Sequence, residues 1–111
     1  MQENTKVVKR TSKALEQFDI AFKEAIDILR RFELRSHIPV EQLKNAGNKL
    51  IEAISINETK VEPYVCLAYV FFQLNDKDSA FKYLKIARDI DPNCPEINEL
   101  KNMILKHYLK I

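Results

Sequence analysis

Two segments of the chain, residues 46–58 and 80–92, superimpose without a gap, and this internal repetition constrains the fold most. The offset is 34 residues, and the matching positions are Ala46 with Ala80, Leu50 with Leu84, Ala53 with Ala87 and Ile56 with Ile90. In each segment the apolar residues recur every three or four positions, which is the spacing of one face of an α-helix. The repetition therefore predicts one helical unit that is used twice.

Helical spacing extends over most of the chain and is interrupted where prolines and polar residues cluster. Between residues 11 and 34 one stripe contains Leu15, Phe18, Phe22, Ala25, Leu29 and Phe32. Pro39, Pro63 and Pro95 stand where new stripes begin, and proline is tolerated in the first turn of a helix. One Gly and four Pro leave few turn signals for a many-stranded sheet. We therefore predict an all-α fold with about five helices, over residues 11–34, 39–55, 61–74, 77–90 and 95–109.

Polar residues between the stripes predict how individual helices begin. Thr59 and Glu62 have the spacing of a capping box ahead of the third helix. Asp76 or Asp78 would cap the fourth helix, and Asn93 would cap the fifth. The stripes also predict that residues near the helix ends, including Val40 and Ile90, belong to the core faces.

Bulk properties argue against nucleic-acid and membrane functions. The net charge of +2 is too small to predict attraction to nucleic acid or to a lipid surface. The longest apolar run, residues 65–72, is far shorter than the ~20 residues that a membrane span needs. The first ten residues contain no apolar leader. We therefore expect a cytoplasmic protein with no direct membrane insertion.

The residues that most often carry chemistry are isolated in this sequence. Cys66 and Cys94 form no C-x-x-C pair, and neither His37 nor His107 lies at helical spacing from a second metal ligand. Phosphate-loop, G-x-S-x-G and H-E-x-x-H motifs are absent. We expect two buried thiols, no metal, no cofactor and no catalytic residues, so the protein is predicted not to be an enzyme.

Residues 61–94 resemble one complete unit of the tetratricopeptide repeat family. Its first helix follows the pattern W-x2-L-G-x2-Y, and its second carries small and apolar residues before a terminating proline. The matching positions are Tyr64, Leu67, Ala68, Phe71, Ala80, Leu84, Ala87 and Pro92. Small residues at Ala68 and Ala80 would let the two helices approach closely. The period of 34 residues is also typical of this family.

The resemblance implies antiparallel helix pairs stacked as a short right-handed solenoid, in which neighbouring units supply each other's core. Residues 13–60 would form a first unit and residues 61–94 the second, with 95–109 as a capping helix. Counting back one period from the pattern reaches Arg30 and Glu33, which do not fit, so the first unit is irregular. Together these parts make one helical domain over residues 13–111, preceded by a flexible tail at 1–12.

The same resemblance indicates a partner-binding surface, because in this family one side of the first helix of each unit lines a concave face. The residues on that side are Glu62, Val65, Tyr69, Phe72 and Gln73. The Lys, Asn and Arg clamp of the family's chaperone-binding members is absent, since these places hold Glu62, Val65, Cys66 and Tyr69. The apolar stripe of Val65, Tyr69 and Phe72 needs a cover, which is either the helix at 11–34 or a segment of another chain.

These features predict a non-enzymatic protein–protein interaction module, an adaptor or chaperone-like protein that holds a peptide or an amphipathic helix of a partner. The alternative is a structural homo-oligomer, for example a homodimer, assembled through the long amphipathic helix at 11–34. Binding of RNA by related helical-pair repeats would need a basic and polar groove. The apolar stripe and the low net charge argue against it.

Overall fold

Every element that the structure describes is an α-helix, as the apolar spacing predicts. The computed structural model describes the backbone of residues 2–32 and 37–109 and the side chains of residues 13–32 and 37–109. This part of the chain holds five helices and no strand. They are α1 (Gln2–Arg30), α2 (Val40–Ile56), α3 (Glu62–Gln73), α4 (Lys77–Ile90) and α5 (Pro95–Leu109).

Each helix packs against the next one along the chain, and α3 also packs against α5. The first two helices run antiparallel, because Phe18 and Ala21 lie with Ala53 whereas Ala25 lies with Leu43. The third and fourth helices are antiparallel as well. The Phe71 ring near the end of α3 stacks on Tyr83 of α4, at 5.4 Å between ring centroids.

The core consists of two large clusters that share helix α3. One cluster joins α1, α2 and α3 around Leu43, Leu50 and Leu67. The other joins α3, α4 and α5 around Leu84 and Ile104. Because α3 contributes to both clusters, its apolar residues are needed on two sides, which explains the almost uninterrupted apolar sequence of residues 64–72.

Small residues occupy several of the buried positions between the helices. Ala46, Ala53, Ala68, Ala80 and Ala87 are all completely buried. A methyl group adds little distance between two helix axes, so the larger side chains beside each alanine can interdigitate. The alanines that align in the 34-residue repetition, Ala46 with Ala80 and Ala53 with Ala87, therefore all lie on buried helix faces.

The first helix differs from its predicted range at both ends. The first helix begins at Gln2, so the segment predicted to be a flexible tail is helical from that residue on; it contains no Gly or Pro that would stop the helix. Its mobility stays a prediction. At the other end α1 stops at Arg30, four residues before the predicted end, and residues 33–36 lie outside the described part of the chain.

The predicted capping box of α3 is wrong. The helix begins after Val61, and no side chain caps it. The backbone N–H and the hydroxyl of Thr59 both donate to Oδ1 of Asn57, at 3.0 and 2.6 Å. Thr59 is thus held in a turn that Asn57 closes, and its oxygen is not aimed at the first turn of the helix.

Of the other predicted caps, Asp76 is confirmed and Asn93 is wrong. The Asp76 carboxylate accepts a hydrogen bond from the N–H of Ser79 at 3.1 Å. Asn93 instead donates its backbone N–H to Oδ1 of Asp91 at 3.1 Å, in the turn before α5. The short turn leaves Asn93 one residue too early to cap a helix that starts at Pro95.

Three residues assigned to core faces are exposed. Leu15 is 45% exposed, Val40 50% and Ile90 37%. Val40 is the first residue of α2 and Ile90 the last of α4, where neighbouring helices give little cover. Leu15 lies on α1 before Phe18, which already packs beside the last turns of α2. Periodicity identifies the face of a residue but not the length over which that face is covered.

A first prediction concerns Gly47, which lies in the interior of α2 although glycine weakens helices. A Cβ atom added there would stand 3.7 Å from Cγ1 of Val70 and 3.9 Å from Cδ1 of Leu67, which are ordinary contact distances. We expect Gly47→Ala to raise the free energy of unfolding by about 0.5–1 kcal/mol, measured by urea denaturation. Gly47→Leu is the control and should destabilise by roughly 1–3 kcal/mol through overpacking. A lower midpoint for Gly47→Ala would contradict the spacing between α2 and α3.

A second prediction concerns the pH dependence of the Asp76 cap. Hydrogen bonding from Ser79, through its side chain and then its backbone N–H, lowers the pKa of Asp76 below its usual 3.8. Because this pKa is lower in the folded than in the unfolded protein, the cap stabilises fully above about pH 4 and is lost as the pH falls through the lowered pKa.

We expect Asp76→Ala to lower the Tm at pH 7 and to have a much smaller effect near pH 2. Asp78→Ala is the matched control, because Asp78 lies in the same first turn without the capping bond. Equal losses for the two variants at pH 7 would contradict the assignment of the cap.

Candidate functional site

The second apolar stripe of α3 is partly covered in the folded chain. Val65, Tyr69 and Phe72 are all half-buried. Val65 and Phe72 pack against the cluster of α3, α4 and α5, whereas Tyr69 contacts both large clusters. The stripe is therefore divided between two neighbours, α1 at its middle and α5 at its end.

Helix α5 covers the end of the stripe with two rings. The ring of Phe72 meets His107 edge-on at 5.2 Å between centroids and Tyr108 at 6.3 Å. The Tyr108 hydroxyl donates to Oδ1 of Asn75 at 3.1 Å, in the turn between α3 and α4. Nζ of Lys77 lies 5.6 Å from the centre of the Tyr108 ring. Phe72, predicted to meet a partner, is thus held inside an aromatic cluster with His107 and Tyr108.

A shallow cavity lies at the middle of the stripe, between α1 and α3. It has a volume of about 300 Å³ and is lined by Ile26, Leu29, Arg30 and Tyr69. The three α1 residues stand at positions i, i+3 and i+4, so they share one face of that helix. We call this cavity the α1–α3 depression. Ile26 and Arg30 were not predicted to belong to a site, although their spacing relative to Leu29 is visible in the sequence.

The remaining predicted partner-binding residues, Glu62 and Gln73, lie at opposite ends of α3. Glu62 is exposed in the first turn and Gln73 is half-buried in the last. At 1.5 Å per residue they are ~16 Å apart along the helix. The structure thus brings Tyr69 together with α1 and Phe72 together with α5, and it leaves the two polar residues at the margins.

Most positions assigned to the repeat pattern lie in the cluster of α3, α4 and α5, whereas Leu67 packs against α1 and α2. Tyr64 is buried, and its hydroxyl donates to the backbone oxygen of Glu58 at 2.9 Å. Desolvation, followed by the charge of Glu58, raises the pKa of Tyr64. Pro92, by contrast, is exposed in the turn after α4. Among these positions the large side chains fill space, and none of them faces the α1–α3 depression.

Neither cysteine is activated for nucleophilic chemistry. Burial, followed by the charge of Glu62, raises the pKa of Cys66 to about 11. Desolvation, followed by a hydrogen bond from its thiol to Oε2 of Glu96 at 3.1 Å, also raises the pKa of Cys94. Both thiols are free. Over residues 13–32 and 37–109, His, Cys, Asp and Glu side chains form no group of three that would suit a metal ion.

The length and apolar character of the helices decide whether any of them could cross a membrane. Across the described ranges, no helix combines the length and apolar character needed to cross a lipid bilayer.

Comparison with known proteins gives one partial likeness. No protein family matches the chain, and no solved structure matches it. A segment of 44 residues, 40% of this chain, is 46% identical to the nonribosomal peptide synthetase vlms of a Lecanicillium species. To the nearest per cent the matched segment covers 0% of that synthetase. The chain therefore spans only a minute part of the relative it matches.

A third prediction follows from the raised pKa of Cys66. A pKa near 11 instead of 9 leaves ~100-fold less thiolate near pH 8, and the thiolate is the reactive form. We expect iodoacetamide to alkylate Cys66 in folded Cys94→Ser protein at least about tenfold more slowly than in urea. The companion variant Cys66→Ser gives the alkylation rate of Cys94 in the same way. Equal rates for folded and unfolded Cys66, measured by mass spectrometry, would contradict its burial.

Proposed function

We propose that this chain is a non-enzymatic protein-interaction module built as two stacked helix pairs of the tetratricopeptide type, closed by α5. The order of contacts supports this arrangement, since each helix packs on the next and α3 also packs on α5. Completely buried alanines at aligned positions, such as Ala46 and Ala80, give further support. A cytoplasmic location stays a prediction.

The observation that carries the proposal is the half-buried ring of Tyr69 in the α1–α3 depression. Apolar groups of Ile26 and Leu29 stand beside this ring, and Arg30 adds a positive charge at the edge. The volume of about 300 Å³ lies at the lower limit for pockets that enclose small molecules. A shallow apolar depression of this size suits one or two side chains of a partner segment, most simply the apolar face of an amphipathic helix.

The aromatic cluster narrows the proposed site. Phe72 contacts His107 and Tyr108 within the chain, so its role is to hold α5 against α3. The partner would therefore meet Tyr69 and its α1 neighbours, with Glu62 and Gln73 as polar margins. The proposed site is therefore still centred on α3, and residues of α1 form its other side.

The alternative function, self-association through α1, has its own supporting observation. Ile20 is 51% exposed and Leu15 45% exposed on this helix. Two large apolar side chains left in water on one long helix are suited to pairing with a second copy. A dimer of this kind would bury the exposed residues of α1, whereas partner binding at Tyr69 leaves them free.

The fourth prediction tests the depression directly. Displayed libraries of amphipathic helices would be selected on the wild-type protein, and binders then measured on Tyr69→Gln. We expect Tyr69→Gln to weaken binding by roughly 2 kcal/mol or more, as a tyrosine at the centre of an interface does. Ile51→Gln is the matched control, because Ile51 is 50% exposed on α2 and outside the depression. Its binding should change less than about twofold, well under the ~1 kcal/mol that marks an energetically important contact.

Two outcomes would count against this function. Selected binders that tolerate Tyr69→Gln as well as Ile51→Gln would place the interaction elsewhere. A stable dimer in light scattering that becomes monomeric in Leu15→Lys/Ile20→Lys, with no helix selected at Tyr69, would favour self-association.

A further inference from the structure

A second recess lies between α4 and α5, on helices that take no part in the α1–α3 depression. Its volume is about 230 Å³. Leu84 of α4 and Ile97 of α5, each 4% exposed, form its floor together with the half-buried ring of Phe81. We call this recess the α4–α5 groove. It is smaller than the pockets that enclose drug-sized ligands, and its size suits a single large side chain.

Positive charges surround this apolar floor. Lys85 and Arg88 follow each other at i and i+3 on α4, and Lys101 lies across the groove on α5. No acidic residue belongs to the lining that the structure describes. Within the described residues, none of these three side chains has an ion pair or a hydrogen bond.

The unpaired state of these cations contrasts with the other side of the molecule. Between α1 and α2, Nζ of Lys49 lies 2.9 Å from Oε2 of Glu24 and 3.7 Å from Oε2 of Glu52. There the chain supplies its own counter-charges. The lining of the α4–α5 groove holds three cations, an apolar floor and no carboxylate, so it is complementary to a negatively charged ligand.

We propose that the α4–α5 groove binds an acidic segment of a partner protein that carries one large apolar side chain between carboxylates. The apolar side chain would fill the space above Phe81 and Leu84 and lose its contact with water. The flanking carboxylates would lie near Lys85, Arg88 and Lys101, which guides encounter and fixes the register of the segment. Neither feature alone would select such a segment, because scattered surface cations and small apolar recesses are both common.

A nucleic acid fits this surface less well. Nucleic-acid binding gains most of its affinity from many phosphate contacts along an extended basic surface. Here three cations surround an apolar floor, and the whole chain has a net charge of +2. The groove therefore favours a peptide whose apolar residue is as important as its charges.

The test uses a fluorescent acidic peptide with a phenylalanine at its centre, titrated with the full chain and followed by anisotropy. Reversal of two rim charges in Lys85→Glu/Arg88→Glu should weaken binding at least about tenfold, because two attractive contacts become repulsive. The matched control is Lys23→Glu/Lys60→Glu, which changes the net charge equally at exposed positions outside the groove. This control should bind within about twofold of wild type, because neither side chain lines the groove and salt screens exposed charges.

A second peptide, with serine in place of the phenylalanine, separates groove binding from general attraction. We expect at least about tenfold weaker binding of this peptide, because one buried aromatic side chain accounts for that much affinity. Equal binding of both peptides, equal losses in the two charge-reversed variants, or no saturable binding at millimolar concentration would each overturn the proposal. Displacement of the peptide by a single-stranded oligonucleotide of higher affinity would also overturn it. Tyr69→Gln should leave this binding unchanged, which separates it from the function proposed for the depression.

Discussion

The burial of α3 on two sides is the constraint on which the rest of the structure depends. A helix of 12 residues gains little stability from its backbone alone, so its stability comes from packing. Leu67 and Val70 face α1 and α2, while Tyr64 and Ala68 face α4 and α5. Both neighbours are therefore required, and loss of either would leave an apolar helix face in water. The order in which the helices stack follows from this requirement.

Burial on two sides also sets where an interaction surface can lie. Two faces of α3 belong to the core, and the half-buried Val65, Tyr69 and Phe72 lie beside them. At the outer helices the situation differs. Within the described residues α1 packs chiefly against α2, and it retains an exposed Ile20. The helices α4 and α5 retain the groove above Leu84.

The helix content and the core were predictable from sequence because apolar spacing reports directly on which face is buried. Ala80, Leu84 and Ala87 are examples, since each lies where the 34-residue repetition placed it. The site was predictable only in part. The apolar stripe of α3 could be recognised in the sequence. How much of it is buried depends on how α1 and α5 pack over α3, which no local sequence pattern encodes. Thr59 failed as a cap for a different and local reason, because its hydroxyl donates to the nearby Asn57 side chain.

The aromatic cluster fixes the end of α5 to α3 through side-chain contacts. These contacts are the edge-on packing of His107 and Tyr108 on Phe72 and one exposed hydrogen bond from Tyr108 to Asn75. Asn75 has φ of 62°, a left-handed conformation that asparagine tolerates. The same residue therefore shapes the α3–α4 turn and accepts the hydrogen bond from Tyr108. Loss of these side-chain contacts at the end of α5 would uncover Phe72, so the exposure of that ring depends on His107 and Tyr108.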